Sequence, residues 1–182
     1  MSPSRSPLPN IPHAAGAGRG RILAAGLLLS LLGPVAWGQA GTQPGEPTKA
    51  QPVLPRETLT IVGHDGQKHV FHVEIAKTPA EQTVGLMFRT ALGADQGMLF
   101  PWNPPQRSEM WMENTLVPLD MVFIGPHGTI RTIAENTVPE SQAVIDSQVR
   151  VAATLEVPAG TTARLNIVVG DKVLMPMFDG GK

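Results

Sequence analysis

The chain has 182 residues, with 14 Lys+Arg, 15 Asp+Glu and no cysteine. No disulfide can hold such a fold, and a formal charge of −1 without a clustered basic face speaks against a nucleic-acid binder. One domain with an ordinary hydrophobic core is the natural expectation.

In chain order, Arg5, Arg19 and Arg21 precede an apolar run from Ile22 to Leu32, and small residues lie near Gly38 and Ala40. This is the pattern of an export signal over residues 1–40, and it implies an extracytoplasmic location, periplasmic or secreted. The apolar run falls short of the ~20 residues a spanning helix needs, so the only membrane association expected is an uncleaved signal anchor. Removing the leader takes three of the 14 Lys+Arg and leaves 11 against 15 Asp+Glu, a formal charge of −4. Residues 41–56, "GTQPGEPTKAQPVLPR", lack an apolar period and read as a flexible linker, so the folded domain is expected at 57–182.

"ETLTIVGHDGQKHVFHVEIA" holds two alternating runs around Asp65-Gly66, which predicts a hairpin with both central turn residues at positive φ. His72 and Glu74 then share a solvated face opposite Phe71, Val73 and Ile75. Thr78-Pro79-Ala80-Glu81 combines a capping residue, proline at the first helical position and glutamate at the third. A helix is expected from Pro79 to about Arg89, with Ala80, Val84, Met87 and Phe88 on its buried face. Gly85 in its middle marks a place where something packs closely.

Short apolar runs separated by Pro, Gly and Asn follow, with Gly125-Pro126-His127-Gly128 as a turn. Thr161 is expected to cap a one-turn helix closed by Asn166, ahead of a last strand from Lys172 to Met175. The fold class is therefore α+β: a mainly antiparallel twisted sheet or small open barrel with one main helix packed on it.

The ordered segments "TPAEQTVGLMFR", "GMLF", "MWMENTLVPLDMVFI" and "VPAGTTARLNIVVGDKV" resemble the family called domain of unknown function 192, over roughly residues 70–175. The family pattern falls on Gly85, Leu86, Met87, Arg89, Gly97, Met98, Trp111, Met112, Asn114, Thr115, Pro118, Leu119 and Asp120. Met110 and Asn166 depart from it. The resemblance implies a small, often exported, mostly-β domain and no particular reaction.

Of the residues that could carry chemistry, five methionines between Met87 and Met121 are soft donors suited to Cu(I), although packing explains them more simply. No cofactor or motif-bound metal is expected, because HExxH, phosphate and calcium loops are missing from the sequence. Glu109, Glu113, Asp120 and Glu156 could supply paired carboxylates for glycan hydrolysis. Asp120 stands out, being in a strand apolar on both faces, where a carboxylate needs partners. Pairing Asn114 opposite Asp120 would let the amide donate to it. The expected pocket is Arg89, Trp111, Met112, Asn114, Thr115 and Asp120, with Trp111 or Trp102 as an apolar platform. The favoured reading is a binding module for a small or glycan-like ligand; the alternatives are an envelope-directed hydrolase using Asp120 and a Cu(I) binder.

Overall fold

The computed structural model describes residues 45–178. The expected signal peptide lies outside these residues. Among the described residues no helix is long and apolar enough to cross a membrane.

The predicted hairpin forms: β1 (Arg56–Val62) runs antiparallel to β2 (Lys68–Ile75), with Val62 opposite Lys68. Its turn is longer than expected. Only Gly66 has positive φ, at 80°, while the Asp65 carboxylate accepts from the Gln67 N–H. Strands β3 (Gln96–Met110), β4 (Leu119–Ile124), β5 (Ile130–Ala134), β6 (Ile145–Pro158) and β7 (Lys172–Leu174) complete one sheet in the order β5-β4-β6-β3-β2-β1-β7. All pairings are antiparallel except β2 with β3. The two ends of the sheet meet where Ile130 N donates to Asp171 O and Val173 N to Gly128 O. The result is a nearly closed, barrel-like sheet.

The expected main helix is not there. The capping box predicted at Thr78 and Glu81 is present, but α1 spans only Pro79–Val84 and has no buried residue. Gly85 ends it at φ 49°, and Phe88 at φ 60° turns the chain again before Arg89. A backbone in that region cannot continue a right-handed helix. Phe100 packs closely there: a Cβ on Gly85 would lie 3.1 Å from Phe100 Cζ. The second helix, α2 (Thr161–Arg164), forms as expected, and Asn166 at φ 53° follows it.

Strand alternation sorts the core into two layers. Leu59, Phe71, Val73, Leu99, Val122 and Leu155 fill the barrel interior. Met98, Phe100, Met112, Leu119, Met121 and Phe123 form a second cluster on the outer face. All six residues of β4 are buried because both layers press on it. The folded part begins before Glu57: Gln51 Nε2 donates to the carbonyls of Glu81 and Gly85, and Leu54 N to Glu74.

Candidate functional site

Asp120 is fully buried, as its strand implies, but its partners are not those the sequence suggested. It shares the strand parity of Val122 and Ile124 and so stands at the end of the barrel interior, beneath α2. Its Oδ1 accepts from the N–H groups of Asn136 (2.9 Å) and Gly160 (3.1 Å), and its Oδ2 from that of Thr162 (2.9 Å). The Thr162 hydroxyl lies 2.9 Å from the same oxygen and 2.7 Å from Glu135. Asp120, rather than the expected Thr161, thus satisfies the amide donors at the start of α2, from a strand 40 residues away in sequence. This is a structural carboxylate.

The expected pairing of Asn114 with Asp120 fails because β4 hydrogen-bonds to β5 and β6, and β3 ends at Met110. Asn114, at φ 55°, belongs to a turn whose carbonyl accepts from Phe88 N. Arg89 does not approach Asp120 either. Its Nη2 donates to Glu74 Oε2 at 3.0 Å, and Arg56 stands 3.8 Å from the other oxygen. Glu74, expected on a solvated face, is 2% exposed and gathers these cations together with Leu54 N. Met112 is fully buried, its sulfur 3.1 Å from the Thr137 hydroxyl.

The outer face nevertheless carries a cleft. It lies between α1, the outer edge of β3, β6 and the segment after Met110, encloses about 280 Å³, and is lined by Trp102, Trp111, Met87, Met110, Thr115 and Glu156 among others. Of the expected pocket, it includes Trp111 and Thr115; Arg89, Met112, Asn114 and Asp120 lie elsewhere. Trp111 is also shared with a neighbouring groove that Asn114 lines together with residues 45–52.

Glu156 is the unusual member. It lies in a cross-strand row with Met98 on β3 and Met121 on β4 as its direct neighbours, both fully buried. It is itself only 4% exposed. No described residue hydrogen-bonds its carboxyl, which turns into the cleft, and burial pushes it up to about 8. Nearby, Trp102 Nε1 donates to Thr154 Oγ1 (3.0 Å), and its ring stacks on Phe100 at 6.4 Å. Sequence reasoning named Glu156 only as one carboxylate among four. The alternation Thr154-Leu155-Glu156 looks like a solvent-facing stripe, and only the covering by α1 and residues 111–115 buries it.

A small barrel-like domain with an aromatic cleft lined by carboxyls is thus the class that fold and site define. The chain belongs to the family described as Uncharacterized ACR, the domain of unknown function 192, which matches residues 60–175. It is similar to a solved protein from Sinorhizobium meliloti 1021 described as a candidate transcription regulator: 42% identity, 69% of this chain and 97% of that one covered, TM-score 0.67. It is also similar to a protein of unknown function from Novosphingobium aromaticivorans: 43% identity, 69% and 91% covered, TM-score 0.66. No curated protein matches the chain.

Proposed function

We propose that the domain is an extracytoplasmic binding module for a small or glycan-like ligand, seated in the cleft between Trp102 and Trp111. The observation that carries this reading is Glu156. Among the described residues this buried carboxyl has no hydrogen-bond partner, a costly arrangement unless it holds a proton or pairs with a guest, and it lines the cleft. The volume lies near the lower end of small-molecule sites, ~300–1,000 Å³. The exported location rests on the leader pattern. We propose no nucleic-acid partner, since the −4 charge of the mature chain repels phosphate.

The hydrolase reading moves from Asp120, whose lone pairs are engaged, to Glu156 and Glu109, which line the same cleft. One carboxyl kept protonated by burial and one exposed is the division of labour glycan hydrolysis uses. Of the methionines, Met87 and Met110 reach the cleft, while Met98, Met112 and Met121 fill the core.

The test is intrinsic tryptophan emission of the full chain during titration with small saccharides and amines. Trp111 is 46% exposed, so Trp111→Ala should cost only about 1–3 kcal/mol of unfolding free energy, leaving the protein folded, yet remove binding. A panel that leaves the emission of the unmutated chain unmoved would overturn the reading.

A further inference from the structure

Among the described residues, every side-chain N–H or O–H donor lining the cleft is already spent, except the Trp111 indole and the Glu156 carboxyl while it is protonated. Gln82 Nε2 donates to the carbonyls of Ala76 (3.1 Å) and Pro101 (3.0 Å). The Thr83 hydroxyl donates to Pro79 O (2.8 Å), the Thr115 hydroxyl to Glu113 O (3.3 Å), and Trp102 Nε1 to Thr154. What is left for a ligand is mostly acceptor surface: the Glu109 carboxylate, the thioethers of Met87 and Met110, the indole faces, and the Glu156 carboxyl, which offers one O–H while protonated and only accepts once ionised. No Lys, Arg or His is among the lining residues. A neutral sugar needs donors as well as acceptors; a cation needs only acceptors and π-faces.

We propose that the cleft takes a small organic ammonium ion, paired with the Glu156 carboxylate at the floor and covered by the rings of Trp102 and Trp111. This deepens the binding reading above and rests on it. In the empty cleft Glu156 carries its proton at neutral pH, because burial holds its pKa near 8. Seating the cation replaces that proton: Glu156–COOH and R–NH3+ give the Glu156 carboxylate paired with R–NH3+, and the proton leaves to the buffer. Binding therefore strengthens about tenfold per pH unit below about 8 and levels off above it.

The other charged groups on the packed elements are placed differently. Glu109, at the end of β3, is exposed. Glu81 of α1 is engaged in its capping box, and Glu113 accepts from Gln142. Glu74 shares the outer face with Glu156, with Met98 between them, and is paired with Arg89. Asp120 on β4 faces the barrel interior.

The experiment is isothermal titration of the full chain with glucosamine, tetramethylammonium and N-acetylglucosamine, at about pH 6 and about pH 7, where the amine of glucosamine is mainly protonated, and in buffers of different ionisation enthalpy. Glucosamine and tetramethylammonium should bind, N-acetylglucosamine should not, and about one proton should be released per cation bound at the lower pH. Glu156→Gln, a neutral isostere of the protonated group, should fold, bind on the order of 10–100-fold more weakly, and release no proton. N-acetylglucosamine binding as tightly as glucosamine, independent of pH and abolished by Trp111→Ala, would overturn the ammonium proposal while leaving the cleft as the site. Cu(I) binding that survives Glu156→Gln but not Met110→Leu would also overturn it. Silence from every probe would sink both readings.

Discussion

Replacing Glu156 by glutamine should change how the protein's stability depends on pH. The unfolded chain releases this proton near 4.5, the folded chain near 8. Between those values the folded state binds the extra proton, so stability falls as pH rises. The contribution is fully present below pH 4.5 and lost as pH passes through about 8. Each pH unit in that window costs about 1.4 kcal/mol, and the span sets a ceiling of ~5 kcal/mol. Glutamine keeps the shape and the neutrality and cannot ionise. Urea unfolding of the parent and of Glu156→Gln at several pH values from about 5 to about 8 gives the difference directly, because the other titrating groups cancel. The parent should lose stability relative to the variant at every step upward. A difference that stays flat across the window would refute a desolvated, partnerless Glu156.

Asp120→Ala strands the N–H groups of Asn136, Gly160 and Thr162 and should cost about 3–5 kcal/mol, read by chemical denaturation. It should leave ligand binding intact wherever the protein remains folded, since Asp120 does not line the cleft. Arg89→Ala removes the closest cation from buried Glu74 and should cost about 3 kcal/mol, Arg56 at 3.8 Å being too far and too exposed to replace it. Gly85→Ala must hold φ near 49° and bring its Cβ to 3.1 Å from Phe100 Cζ, for a loss of about 1–3 kcal/mol in thermal unfolding.

Local rules written in neighbouring residues were legible. The β1–β2 hairpin, the capping box of Thr78 and Glu81, the Gly125–Gly128 turn, the left-handed Asn166 and the full burial of β4 each follow from a few adjacent side chains. The four ordered motifs pointed to the right family. Gly85 was read correctly as a point of close packing, yet its neighbour, Phe100, lies on a strand 15 residues on, and the positive φ of Gly85 ends the helix there.

What only the tertiary structure decided is which strand lies beside which, and which sheet face is covered. Period-two alternation tells that Glu74 and Glu156 share a face, but not whether that face meets water. Here residues 45–55, α1 and the segment around Trp111 lie over it, turning one glutamate into the anchor of an ion pair and the other into a desolvated carboxyl whose pKa burial raises. Asp120 shows the same limit: the sequence demanded partners for a carboxylate in an apolar strand, while the donors came from Asn136, Gly160 and Thr162, which the chain's closure brings to it. Burial of a polar group is a property of the whole packing, so its consequence for binding could be posed from the sequence and answered only in three dimensions.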